Sequence, residues 1–190
     1  MTMAERLTGR QTVPVRIGLS DSSPTQTLVF VVGIADAVRP DLYTRIHEAE
    51  KAYRLETSHW PTIVTRIKSR PSDASPRLEL GRRIDAVFYE LRTLHGIEVI
   101  NESEALTKLL SLSKSTLYYV RRASRKFTAD AVTENKLNWM QVQVLSDIRD
   151  PTLVGDGVRL AKMGKLRSQD ELRRFRRRAN SRHLSPTASK

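Results

Sequence analysis

The sequence predicts a mainly α-helical chain with a small α/β part at its N-terminus, organised around a helix, a tight turn and a second helix, with a helical C-terminal region after them. Three observations point there. From residue 40 onward, apolar side chains recur at the spacing of helices that bury one face. Residues 13–35 alone show strand patterning, an alternation followed by a β-branched run. Helix-starting chemistry recurs in the second half, as Ser ahead of a glutamate or Asp ahead of a proline.

A chain of 190 residues can bury a real core and suits one ordinary domain or two small ones. The pattern divides it into an α/β module over 1–70, a helical unit over 77–128, a helical extension over 129–183 and a flexible tail over 184–190. There are 33 Lys/Arg against 21 Asp/Glu, a formal charge of +12. Residues 1–100 hold 14 against 12 and residues 101–190 hold 19 against 9, so almost all the excess lies in the second half. Such asymmetry suits a polyanion better than it suits solubility alone. Cysteine is absent, which excludes disulfides, thiolate zinc sites and a cysteine nucleophile. The first residues lack a signal-like apolar core, and the longest apolar run, Leu28 to Ala35, is too short to span a bilayer. The expectation is a cytoplasmic, nucleoid-associated protein without a membrane partner.

In chain order, residues 1–11 read as a polar leader. Val13, Val15, Ile17 and Leu19 alternate as a strand, Asp21 to Pro24 is turn chemistry, and Thr27 to Ala35 suits a second strand. The two form an antiparallel hairpin, on whose open edge Pro14 would lie. Pro40 opens a helix with Leu42, Ile46, Ala49 and Tyr53 inward. A shorter helix from Pro61 turns Ile63, Val64 and Ile67 inward. Arg70 to Pro76 reads as a linker without a buried face. Leu80, Ile84, Val87, Phe88, Leu91 and Leu94 then mark an amphipathic helix that Gly96 ends, a support for the helical pair downstream.

Glu104 to Phe127 is the most informative stretch. Leu106, Leu109 and Leu110 face inward from a first helix, for which Asn101 and Glu104 offer a capping box. Leu112 covers the turn, Ser113 caps the second helix, and Leu117 and Val120 face inward from it. This is the layout of a helix-turn-helix, whose second helix enters the DNA major groove. Ser111 falls where the turn needs φ > 0, at a cost of about 1 kcal/mol for a residue with a Cβ.

Beyond it, Leu137, Met140, Val144, Leu145 and Ile148 form a stripe that stops at Asp150-Pro151, a cap and an opening for the next helix. Leu153, Val154, Val158 and Ala161 continue, weakened by Gly155 and Gly157 and broken at Gly164. Ser168 and Glu171 form a capping box for a last helix that buries Leu172 and Phe175 and exposes Arg173, Arg174, Arg176, Arg177 and Arg178.

The run LLSLSKSTLYYV resembles the core of bacterial helix-turn-helix regulators and partition proteins, through Leu110, Leu112, Ser113, Thr116 and Leu117, with Ser111 where those families usually have glycine. Asp150, Pro151, Gly164, Ser168, Glu171, Leu172 and Arg173 resemble the downstream segment of ParB/KorB-type partition proteins. LGRRI at 80–84, STLYYVRR at 115–122 and LNW at 137–139 are similar to the N-terminal helical domain of YhcG-type nucleases. Together the resemblance covers residues 78–180 and implies DNA binding. No GERRxRA nucleotide motif lies in the first hundred residues, and no room for a nuclease domain remains after residue 180, so neither CTPase nor nuclease activity carries over.

The helical unit over 77–128 is therefore read as a DNA-binding domain. Lys114, Ser115, Tyr118, Tyr119 and Arg122 are the candidates for base edges. Ser113, Thr116, Arg121, Arg125 and Lys126, with the five arginines of the last helix, are the candidates for phosphates. His47, His59, His95 and His183 are scattered without metal-ligand spacing, and neither a nucleophile elbow nor a phosphate loop occurs. No cofactor, metal or catalysis is expected. The leading reading is a sequence-specific duplex-binding protein: a transcription regulator, or a plasmid-partition or recombination accessory factor of a mobile element. Its N-terminal module would serve a homodimer or higher assembly, or docking. Alternatives are an RNA-binding or ribonucleoprotein subunit and an adaptor whose arginines meet an acidic protein.

Overall fold

The computed structural model describes residues 12–20, 27–31 and 40–182, and among them nine helices accompany one three-stranded sheet. The protein is mainly α with a small α/β part, as the sequence predicts. The residues assigned to the leader, the Asp21–Pro24 turn and the tail lie outside the described residues, as do the end of the second expected strand and His183. The chain forms two compact units that are not contiguous in sequence: residues 1–64 with 83–117, and residues 65–82 with 118–190. A sequential division misses this because one long helix, α3 (Ser75–Thr93), contributes its first turns to one unit and the remainder to the other.

In the first unit, β1 (Val13–Ser20) pairs antiparallel with β2 (Thr27–Val31), Arg16 opposite Val31 and Ser20 opposite Thr27. A third strand, β3 (Ile97–Val99), joins β1 in parallel, giving the order β2-β1-β3. The expectation that Pro14 lies on an open hairpin edge is thus corrected. It stands opposite Glu98, where Val13 donates to the Gly96 carbonyl (2.8 Å) and Ile100 donates to that of Val15 (3.1 Å). Those flanking residues make the bonds, so the missing proline N–H is not needed. Helix α1 (Pro40–Ser58) packs on β2 with Ile46, Ala49 and Tyr53 buried. Helix α2 (Trp60–Ser69) starts with a fully buried Trp60, and Ile63 and Val64 are buried as expected. Ile84, Val87 and Leu91 of α3 are buried too, but Phe88 is only half-buried. Leu94 lies past the helix end and is exposed, while Gly96 takes φ +62° and turns the chain into β3.

Helix α4 (Glu102–Leu110) packs on β1 and buries Ala105, Leu106, Leu109 and Leu110. The expected Asn101–Glu104 capping box does not form. Asn101 instead accepts from the Ile17 N–H and donates to the Ile17 carbonyl, both at 2.8 Å, which sews α4 to β1. Glu104 pairs with Lys108.

In the second unit, residues 70–76 are no linker. Ala74 is buried, Asp73 accepts from the Ser75 N–H (2.9 Å), and the Ser72 carbonyl accepts from Trp139 (2.8 Å). Arg77, itself buried, donates to the Asp73 carbonyl (2.7 Å) and stacks over Trp139. Helix α5 (Lys114–Ser124), which belongs to this unit from Tyr118 onward, is succeeded by α6 (Ala129–Glu134), which the apolar pattern did not reveal because it buries only Val132. Helix α7 (Trp139–Ser146) opens on an Asn138–Gln141 capping box. It buries Val142 and Leu145 completely, while Met140 and Val144 are half-buried and Leu137 and Ile148 sit in the flanking turns. Helix α8 (Pro151–Lys162) is capped by Asp150, with Pro151 in its first turn, and Gly164 at φ +72° lies just past its end. Helix α9 (Gln169–Arg182) packs on α7 and buries Leu172 and Ala179.

At Gly81, in LGRRI, a Cβ would lie 2.5 Å from the Val120 carbonyl and from Ser124 Oγ of α5. Here glycine is what lets the α3 backbone approach the α5 backbone.

Candidate nucleic-acid interface

The turn before α5 is built as the residue types require. Ser111 adopts the left-handed conformation, φ 50° and ψ 41°, at the C-terminus of α4. Leu112 is half-buried over the turn. Ser113 caps α5: its Oγ accepts from the Thr116 N–H (3.1 Å) and its carbonyl from Leu117 (3.0 Å). Its hydroxyl also lies 3.0 Å from Ser115 Oγ and 2.8 Å from Thr116 Oγ1. The hydroxyls of Ser113 and Thr116 are therefore already engaged in shaping the helix start.

Leu117, Val120 and Ala123 fill the inward face of α5. Lys114, Ser115 and Tyr118 are exposed, whereas Tyr119 and Arg121 are half-buried. The rings of Tyr118 and Tyr119 meet edge to face at 5.4 Å. The helix ends at Ser124, so Arg125 and Lys126 occupy the turn after it and are not carried on the helix as expected.

Arg122 and Lys126 are placed differently from the roles read in the sequence. The last carbonyls of a helix lack intrahelical donors, and cations commonly satisfy them. Arg122 Nε donates to the Ser146 carbonyl (3.0 Å) and Nη2 to the Asp147 carbonyl (3.2 Å), at the end of α7. Its Nη1 donates to the Tyr118 hydroxyl, and the guanidinium lies 5.6 Å from that ring centroid. Lys126 Nζ donates to the Ile148 carbonyl. Burial and the neighbouring Arg122 charge push its pKa below the ordinary lysine value, against the pull of Asp147. Arg122 and Lys126 are thus both held on the backbone carbonyls at the C-terminal end of α7.

Asp147, which the sequence reading did not single out, is the group these cations share. Its carboxylate lies 3.4 Å from Arg122 Nη1 and 3.0 Å from Arg176 Nη1, with its side chain 15% exposed. It is the sole acid between Glu134 and Asp150 in the sequence, the one signal that could have revealed it. Arg176 is accordingly half-buried and paired, not one of five outward arginines. Arg173, Arg174, Arg177 and Arg178 do lie on α9 away from this pairing, with Arg173 Nη1 4.0 Å from Asp170. The Ser168–Glu171 capping box forms, its carboxylate accepting from the N–H of Ser168 (2.8 Å) and of Arg167 (2.9 Å). Those bonds hold Glu171 below the ordinary carboxylate range.

The unit of residues 65–82 and 118–190 carries 22 Lys/Arg against 9 Asp/Glu, and the other carries 11 against 12. Among the described residues, no group of three or more His, Asp or Glu side chains could hold a metal ion, and no helix is long and apolar enough to cross a membrane. No protein-family model, curated protein or solved structure matches this chain.

Proposed function

We propose that the protein binds duplex DNA sequence-specifically, with α5 entering the major groove as the second helix of a helix-turn-helix. The observation that carries this is the outward face of α5. A left-handed Ser111 and a capping Ser113 launch a helix whose exposed first turns present Lys114, Ser115 and Tyr118. Lysine suits the guanine acceptors, serine reads permissively, and tyrosine can donate to a base or pack on a thymine methyl. Tyr119 flanks this set, and Arg121 and Arg125 would meet phosphates together with the outward arginines of α9. The strongly positive unit supplies the salt-dependent attraction to phosphates.

The near-neutral unit fits self-association, as a helix-turn-helix protein needs when it reads two half-sites. It bears Tyr43, Leu55, Tyr89, Leu94 and Ile100 as exposed large apolar side chains. Regulation, partition or recombination on a mobile element are the processes such a protein would serve.

Selection from random duplexes at near-physiological salt tests the reading. The expected result is a defined, palindromic site. Lys114→Ala should lower discrimination between that site and random duplex. Arg125→Ala should weaken every sequence alike and reduce the salt slope by about one. A chain that selects no site, or that structured RNA strips from duplex at equal concentration, does not have this function.

A further inference from the structure

We propose that Asp147 is a positioning residue that locks α9 to α5, so that the arginines of α9 grip the backbone of the same duplex whose groove α5 enters. This rests on the duplex-binding reading above. A carboxylate beside a phosphate-binding surface is unfavourable by simple electrostatics, yet Asp147 sits largely buried among Arg122, Lys126 and Arg176. Arg122 continues the line of Ser115 and Tyr118 on one face of α5, at i, i+3 and i+7, so the clamp closes at the end of the reading face. Arg176 lies on α9 beside Leu172, Phe175 and Ala179, the side that packs inward. With that side fixed, Arg173, Arg174, Arg177 and Arg178 fall on the opposite arc of the helix. One carboxylate thereby sets the roll of two helices about their axes. Its two oxygens take one guanidinium each, Arg122 of α5 and Arg176 of α9.

The test turns on sign. Asp147→Asn and Asp156→Asn each remove one negative charge, and Asp156 is an acid of α8 paired with Arg159 at 2.9 Å. If charge alone matters, both variants tighten duplex binding. The coupling predicts that Asp156→Asn binds as well as the parent or better. Asp147→Asn should lose about two- to thirty-fold in affinity for the selected site, while Asp147→Glu recovers part of it. Arg174→Ala/Arg177→Ala should lower the salt slope by about two in the parent and by clearly less in the Asp147→Asn background. Should Asp147→Asn unfold, Arg176→Gln against Arg159→Gln repeats the comparison, each losing one positive charge and only the first losing the clamp. Equal or tighter binding by Asp147→Asn with an unchanged slope, or equal losses in the two arginine variants, overturns the coupling and leaves the duplex reading standing. A parent chain that binds no duplex overturns both.

Discussion

The two units differ in their balance of charge, 11 Lys/Arg against 12 Asp/Glu in one and 22 against 9 in the other. In the unit of residues 1–64 and 83–117, Arg83 pairs with Glu56 (2.7 Å) and Lys108 with Glu104 (2.8 Å), and Arg45 Nε donates to the His95 carbonyl (2.9 Å). In the unit of residues 65–82 and 118–190, Arg66, Arg159 and Arg176 pair with Glu79, Asp156 and Asp147, while Arg77, Arg82, Arg122 and Lys126 donate to the carbonyls of Asp73, Phe127, Ser146 and Ile148. A carbonyl fixes a cation's position without cancelling its charge. The first balance leaves a nearly neutral body. The second keeps a large positive excess at the cost of self-repulsion, which a polyanion would relieve. Charge counted along a sequence therefore locates the excess without showing which cations the fold itself already holds.

The comparison breaks most sharply at Gly81. Replacing an interior helix glycine with alanine ordinarily stabilises by about 1 kcal/mol. Here the added methyl would meet the Val120 carbonyl, backbone that cannot step aside as a side chain does. Gly81→Ala should instead destabilise the basic unit by about 2–3 kcal/mol, read as a lower urea midpoint, with duplex binding lost alongside. Asn101→Ala tests the other unit. It removes both bonds to Ile17 and should cost about 1–2 kcal/mol. Duplex affinity and salt slope, measured well below the melting temperature, should not change. If Asn101→Ala altered the slope while fully folded, its bonds to Ile17 would be holding α4 and the start of α5 for binding as well as stabilising their unit.

Ser111→Gly should act with a smaller effect and the opposite sign. The left-handed conformation costs a residue with a Cβ about 1–2 kcal/mol, and glycine returns part of that as unfolded-state entropy. A gain of about 0.5–1 kcal/mol in unfolding free energy, with unchanged binding, is expected from these terms. This position was legible in the sequence, as were the Ser113, Asp150 and Ser168 caps, because each depends only on residues within one turn. The features hidden from the sequence depend on partners far along the chain. Strand β3 is three residues long and acquires meaning only beside β1. Asn101 looked like a cap because its local spacing permits one, but a strand 84 residues away competes for the same amide. Arg122 and Arg176 looked like surface cations because nothing near them in sequence announces Asp147. The linker reading of residues 70–76 failed likewise, since turn formers describe a turn equally well when it is packed against Trp139.

The smallest effect separates the units by pH. Glu171 and Glu56 both sit below the ordinary carboxylate value of 4.5, for different reasons. At Glu171, hydrogen bonds from Ser168 and Arg167 stabilise the carboxylate in the open. At Glu56, burial opposes ionisation, and bonds from Arg83 and Trp60 outweigh it. A carboxyl whose pKa is lower folded than unfolded contributes stability that is complete above the unfolded value and is lost as pH falls through the folded one. Both contributions should therefore be intact near neutrality and should fade below pH about 4.5. Glu171→Gln and Glu56→Gln should each melt lower than the parent near neutral pH, and each difference should shrink on acidification. Amide exchange followed at both pH values assigns the losses. Those of Glu171→Gln should appear first in α9, and those of Glu56→Gln in α1 and α2. Acid sensitivity that stays the same in both variants would mean that other carboxylates control the transition.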